Sequence, residues 1–245
     1  MNHIHRSIWN RSTGTFVAVS EHARNSGKAA SAGSSGGVAF RIKAVSLLVM
    51  LACGSVAMAQ PTGGVVTSGN ATIAGPSNQL TITQTTPNAA INWQGFGIAA
   101  GESVRFVQPD NRSIALNRVV GSDPSAILGN LSSNGKVFLV NPSGILFGPG
   151  ASVNVGGLVA STLSISDADF MAGRYRFSGA STGSVVNQGL IQALDGGYVA
   201  LLGASVSNEG VIAARLGTVA LAAGQAITLD VAGDGLLNVA VAQGA

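Results

Sequence analysis

The sequence predicts an all-β chain wound as a right-handed parallel β-helix, a solenoid with an N-terminal cap and β excursions outside its coils. Three observations predict it. Charged residues are only 9% and aromatics 5% of the 245, while glycine alone numbers 34. That is too little charge for a disordered chain and too much glycine for a helical bundle. The chain also repeats. Gly197-Tyr-Val-Ala-Leu aligns with Gly217-Thr-Val-Ala-Leu, and Asn187-Gln-Gly-Leu-Ile with Asn208-Glu-Gly-Val-Ile, while Gly135-Lys-Val-Phe-Leu-Val-Asn plays the same part further back. Finally, apolar residues alternate within each unit, as Val199 and Leu201 do, between Gly and Asn turn signals. A unit of ~20 residues cannot close its own core, and stacked coils of three short strands can.

Residues 1–59 form a leader. It holds six basic residues against Glu21, whereas from Gln60 onward there are seven basic and nine acidic residues. The basic balance of the chain therefore belongs to the leader, and the remainder has no basic stripe to support nucleic-acid binding. Within it, 41–59 has the form of a Sec signal core. Arg41 and Lys43 precede the uncharged run AVSLLVMLACGSVAMAQ, and Ala57 and Ala59 are the small residues a signal peptidase reads, leaving Gln60 first in the mature chain. Cys53, in LACGS, invites comparison with a lipoprotein acylation site, but Met50 stands where leucine is usual. Upstream lie a Ser/Gly linker at 31–40 and an extended region at 1–30.

Residues 60–90 are read as the cap of the β-helix and 91–245 as its body, with room for roughly nine coils from residue 60 on. In the body Val104, Phe106, Ile114 and Leu116 alternate, and Gln108-Pro109-Asp110-Asn111 and Gly121-Ser122-Asp123-Pro124 are turns. Asn141-Pro142-Ser143-Gly144 fits a type I turn leading into the strand at Ile145, with Gly148-Pro149-Gly150 a second turn. The C-terminal VAGDGLLNVAVAQGA stops in the same idiom without a polar finish, which reads as a fragment, a truncated product or a chain whose homologues continue.

Little in the sequence supports catalysis or a cofactor. His3, His5 and His22 all lie in the leader, so no histidine metal site or triad is available downstream. There is no GxxxxGK[ST] phosphate loop and no G-x-S-x-G elbow followed by histidine. Asp230-Val-Ala-Gly-Asp234-Gly resembles a single turn of a calcium repeat and is read as a turn. Arg105, Arg112, Arg118 and Lys136 could make a weak basic patch but are read as solvated outer-face residues. Asp167 and Asp169, in SISDADF, are the one close carboxylate pair; they are read as part of a turn or excursion before Gly173-Arg174-Tyr175-Arg176-Phe177, and keep open a second reading, a glycan-binding or polysaccharide-cleaving β-helix.

Two resemblances complete the reading. Met1-Asn2, Arg6, Ile8-Trp9-Asn10, Thr15, Val17-Ala18-Val19-Ser20-Glu21, Ala23 and Gly27-Lys28 resemble the extended signal-peptide region of very large bacterial surface proteins. That resemblance implies slowed inner-membrane export. Asn92-Trp93, Phe96, Gly101-Glu102, Asn117-Arg118, Asn134-Gly135, Asn141-Pro142-Ser143-Gly144-Ile145 and Gly156-Gly157-Leu158-Val159 resemble the secretion domain of two-partner-secretion exoproteins, the filamentous haemagglutinin family. The family usually has Asn where Ser143 stands, and its second motif, Asn-Pro-Asn-Leu, is absent. The resemblance implies a non-enzymatic secretion domain without cofactors. Its expected partners are the Sec translocon, signal peptidase and an outer-membrane transporter of the TpsB type with POTRA domains. It further implies β-helix folding at the surface of a Gram-negative cell, with adhesion to host cells or glycans left to downstream regions. Asn117 and Arg118 carry the family signature, and residues 141–145 form the turn a transporter could recognise, Asn141 being its buried or turn-locking amide.

Overall fold

The computed structural model describes residues 5–10, 15–20, 60–231 and 237–243. The signal-core alanines Ala57 and Ala59, the linker and Asp234 lie outside the described residues. The chain divides into two units, 1–53 and 54–245. In the first, β1 (His5–Asn10) and β2 (Thr15–Ser20) pair antiparallel, His5 opposite Ser20 and Asn10 opposite Thr15.

The second unit is a parallel β-solenoid. Two antiparallel strands begin it, β3 (Val65–Ser68) and β4 (Ala71–Ala74). The parallel stack starts at Gln79, with β5 (Gln79–Gln84) and β6 (Asn88–Trp93). The next coil holds β7 (Ser103–Val107), β8 (Ile114–Val119) and β9 (Ser125–Ile127). Then come β10 (Asn130–Ser133), β11 (Lys136–Val140) and β12 (Ile145–Phe147). The fourth coil has β13 (Ser152–Val155) and β14 (Gly157–Ser161), then leaves the stack through α1 (Asp167–Met171) and β15 (Tyr175–Ser178) before returning as β16 (Ser184–Asn187). The fifth is β17 (Leu190–Ala193), β18 (Tyr198–Gly203) and β19 (Ser205–Asn208), and the sixth β20 (Val211–Ala214) and β21 (Thr218–Ala223). β22 (Ala226–Val231) and β23 (Leu237–Gln243) close the described chain.

Among the described residues the stacked coils form three sheets, and β15, β22 and β23 a separate one. The first runs β20-β17-β13-β10-β7-β5-β4, the second β21-β18-β14-β11-β8-β6-β3, and the third β19-β16-β12-β9. The two repeat alignments made from sequence coincide with strand register: Val199 pairs with Val219, and Asn187 with Asn208. Among the described residues the parallel strands stack in six coils, with the antiparallel cap strands as a seventh layer, against room for roughly nine. Residues spent on the antiparallel cap, on the excursion after β14 and on β22–β23 do not wind. β22 leaves the repeat idiom altogether, pairing antiparallel with β15 and β23.

The physical reason lies in the second sheet. On the first sheet alternation is clean: in β7, Val104 and Phe106 are buried and Arg105 is exposed. Such a sheet faces the core on one side and water on the other. In β11 every residue after Lys136 is buried. Val137 and Leu139 enter the solenoid core, while Phe138 and Val140 point outward into a second apolar cluster. That cluster is covered by Phe170 of α1, Phe177 of β15, and Ile227 and Leu229 of β22. Phe138 meets Phe170, Tyr175 and Phe177 with ring centroids 6.0, 5.3 and 6.2 Å away. A sheet apolar on both faces must be covered on both, so the chain at 167–178 and 226–231 serves as a lid.

The corners before the last four second-sheet strands, β11, β14, β18 and β21, carry a column of glycines: Gly135, Gly156, Gly197 and Gly217. The Gly156 N–H donates to the Gly135 carbonyl at 2.7 Å. A Cβ on Gly156 would stand 2.6 Å from that same oxygen, and one on Gly197 would land on the carbonyl of Gly156. Close approach, more than turn geometry, demands glycine here. Gly197→Ala is expected to lower stability by about 1–3 kcal/mol through forced separation of coils four and five. A denaturant midpoint unchanged from wild type would refute this.

Candidate functional site

The corner after β11 is where the quoted turn falls. β11 delivers Asn141 at full burial. Its Nδ2 donates to the Asp123 carbonyl at 2.9 Å and to Ser125 Oγ at 3.0 Å, both on the preceding coil. Its Oδ1 accepts from the Ser143 N–H at 2.9 Å, and its carbonyl accepts from the Gly144 N–H at 3.1 Å. One amide thus closes its own turn and holds the coil below. Gly144 has φ of 118°, outside what other residues adopt with ease. Pro142 and Ser143 form the exposed tip, and Ile145 turns back into the core. From the coil above, Ser181 Oγ donates to the Pro142 carbonyl at 2.6 Å. Three coils meet at this corner.

Asn117 and Arg118 lie on β8 and face opposite ways. Asn117 points into the solenoid, in a column between Ile91 and Leu139. Its Oδ1 accepts from Trp93 Nε1 at 3.0 Å, and its Nδ2 donates to the carbonyls of Ala115 and Phe138 at 3.2 and 3.3 Å. A buried amide with these partners meets the indole N–H in an otherwise apolar core. Arg118 points outward. It donates to Asn92 Oδ1 at 3.0 Å, the Ile165 carbonyl at 2.7 Å and Asp167 Oδ1 at 2.7 Å. Thr67 Oγ1 donates to Asp167 Oδ2 at 2.8 Å, so the pair ties the cap strand β3, the stack and α1 together.

The reading of Arg118 and Lys136 as solvated outer-face residues is corrected. The excursion covers Arg118 through Ile165 and Asp167, and the stack itself covers Lys136. Arg118 side-chain exposure is 19%. Lys136 Nζ lies 5.1 Å from the ring centre of Tyr198, across the missing side chain of Gly157. Burial, with the Arg112 charge added, lowers the Lys136 pKa from its ordinary value.

Asp167 and Asp169 do not converge. Burial by itself would raise the Asp167 pKa, but the hydrogen bonds from Arg118 and Thr67 outweigh it and hold the carboxyl below its ordinary value. Asp169 is lowered by the Arg174 hydrogen bond and then by Ser166, which also caps α1 by accepting from the Asp169 N–H. Neither carboxyl is poised as a proton donor, since a general acid needs a raised pKa. The sign for stability follows from Asp167. A carboxyl whose folded pKa is depressed contributes stability above its unfolded value, near 3.8, and loses it as pH falls through the folded value. Asp167→Asn is expected to lower stability at neutral pH by about 1–2 kcal/mol and to flatten the loss below about pH 4. Parallel acid profiles of wild type and variant would refute this.

Polar ladders at other corners carry no local sequence signal. Gln108 Nε2 donates to Gln84 Oε1 at 3.1 Å, and Asn187 Nδ2 to Asn208 Oδ1 at 2.7 Å. The Asn187–Asn208 pair was visible as a repeat, since like residues at one register must stack. Gln84 and Gln108 lie outside any aligned unit.

Known proteins resemble the chain over most of its length. The family described as TPS secretion domain matches residues 57–245, and that described as Extended Signal Peptide of Type V secretion system matches residues 1–50. A heme/hemopexin-binding protein of Haemophilus influenzae (strain ATCC 51907 / DSM 11121 / KW20 / Rd) is 34% identical over 219 residues, covering 82% of this chain and 24% of that protein. A second Haemophilus influenzae protein of the same name is 33% identical over 144 residues, covering 57% of this chain and 16% of that one. This chain therefore spans a quarter or less of the length of these relatives. The crystal structure of the HMW1 secretion domain from Haemophilus influenzae shares 36% identity at a TM-score of 0.66, over 75% of this chain and 49% of that one. The filamentous hemagglutinin secretion domain shares 19% identity at a TM-score of 0.53, over 75% and 71%, a likeness of fold alone.

Proposed function

This chain belongs to the TPS secretion domains of two-partner exoproteins and carries the extended signal peptide of type V secretion, and on that premise we propose that it guides its protein through a dedicated outer-membrane transporter. The observation that carries the reading is the family match over residues 57–245. Two features of the fold support it. The solenoid adds one coil at a time, each resting on the one before, so folding of emerging chain at the cell surface can hold what has already crossed. The corner at 141–145 couples a buried lock, Asn141, to an exposed tip, Pro142-Ser143, so a transporter reading the tip would read a segment whose conformation depends on stacking.

The partner is a barrel transporter with periplasmic POTRA domains, met after Sec export and signal cleavage at Ala57-Met58-Ala59 ahead of Gln60. Binding of host surfaces, glycans or heme carriers is a matter for the longer proteins of which relatives named for heme and hemopexin are examples. Deleting the cognate transporter gene tests the reading. Periplasmic accumulation with loss of the protein outside the cell is expected; undiminished release would overturn it. Detection of polysaccharide cleavage abolished by Asp169→Asn would favour the carbohydrate reading instead.

A further inference from the structure

A second corner, Ser133-Asn134-Gly135-Lys136, carries chemistry that the secretion reading leaves unused. Asn134-Gly135 is the only Asn-Gly pair in the sequence. In such a pair the next backbone nitrogen can reach the asparagine Cγ with least obstruction, since glycine has no Cβ and wide backbone freedom.

In the stacked solenoid that reach is blocked twice. Asn134 Oδ1 accepts from the Gln108 N–H at 2.8 Å, and Asn134 Nδ2 donates to the Gln108 carbonyl at 2.7 Å. The amide is clamped to the preceding coil through both of its ends. The Gly135 N–H, the nitrogen that would attack, donates to Ser133 Oγ at 3.0 Å. Ser133 Oγ donates in turn to Gln108 Oε1, joining the buried Gln108–Gln84 ladder.

We propose that Asn134–Gly135 is a fold-gated deamidation site, held inert while the second and third coils are stacked and reactive whenever they are apart. The Gly135 nitrogen attacks Asn134 Cγ and forms an N–Cγ bond. Its proton passes to Nδ2, the Cγ–Nδ2 bond breaks, and ammonia leaves. Water then opens the five-membered imide at either carbonyl, giving aspartate or isoaspartate, with no change of oxidation state. Both products oppose restacking. Aspartate sets a carboxylate oxygen against the Gln108 carbonyl where an N–H donor had been. Isoaspartate adds a backbone methylene just before Gly135, where even a Cβ would stand 2.8 Å from the Ser113 carbonyl and 2.9 Å from that of Asp110. The site thus records, irreversibly, how long a chain has remained unstacked.

The test holds the full chain at one pH and temperature, folded or in guanidinium, and follows the peptide spanning residue 134 by mass spectrometry. Conversion in the folded chain is expected to be slower by about tenfold or more, because attack requires the corner to open. Ser133→Ala, with its melting transition confirmed, is expected to speed conversion in the folded chain by freeing the Gly135 nitrogen. Chains aged in guanidinium are expected to lose refolding yield in step with conversion, while Asn134→Gln, whose longer side chain disfavours the five-membered imide, keeps its yield on ageing. Equal rates in the two states, or full refolding of converted chains, would overturn the proposal.

Discussion

Asn141→Ala is expected to destabilise the solenoid by about 2–4 kcal/mol and to cut release through the transporter while leaving Sec export intact. The truncation removes two donors and one acceptor at once. The Asp123 carbonyl and the buried Ser125 hydroxyl lose the partner that joined them, at the joint between the second and third coils. Ser125 is buried, so its hydroxyl is left without the partner that satisfied it, and that unmet group costs more than a surface bond. Fractionation of cells expressing the variant checks the secretion arm, and a denaturant melt of the purified chain checks stability. Normal release would remove Asn141 from the export pathway. Ser143→Ala separates lock from tip: its side chain is exposed and only its backbone N–H meets Asn141, so it should melt like wild type. A loss of release in that variant would place recognition at the tip itself.

Phe138→Ala should cost more, about 3–5 kcal/mol, the range for truncating a fully buried phenylalanine. Phe138 is fully buried, and its ring is the floor on which Phe170, Tyr175 and Phe177 rest. Its loss hollows out the second cluster without touching the solenoid interior, where Val137 and Leu139 remain. The expected signature is therefore local. The excursion at 162–183 and strand β22 should become susceptible to protease before the stack does. Limited proteolysis with mapping of the first cuts checks this. First cleavage inside the stacked coils would show that lid and stack unfold as one.

The corner at Asn141 was legible in the sequence because turn chemistry is local. Asn at the first position, Pro at the second and Gly at the fourth leave few other conformations. The repeat was legible for a related reason. Equivalent residues in successive coils occupy one environment, so Val199 and Val219, or Asn187 and Asn208, resemble each other in sequence. What Asn141 holds was not legible, since Asp123 and Ser125 are 16 to 18 residues away and nothing in their neighbourhood marks them as its acceptors. Arg118 was misread for the same reason. An arginine alternating with apolar residues on a strand ordinarily faces water, and only the return of the chain at Ile165 and Asp167 places acceptors over it.

The sequence by itself determined the fold class, through repetition and local turn geometry, and the family, through the motifs that resemble it. The tertiary structure alone decided how many residues wind and how many cover. KVFLV and YVALLG hold apolar residues on both faces, yet a run of that kind is equally compatible with further coils, a lid or a partner. Where the second apolar face is buried depends on which distant segment meets it. Here Phe170, Phe177, Ile227 and Leu229 arrive from outside the stack, brought by a crossover that no local pattern encodes.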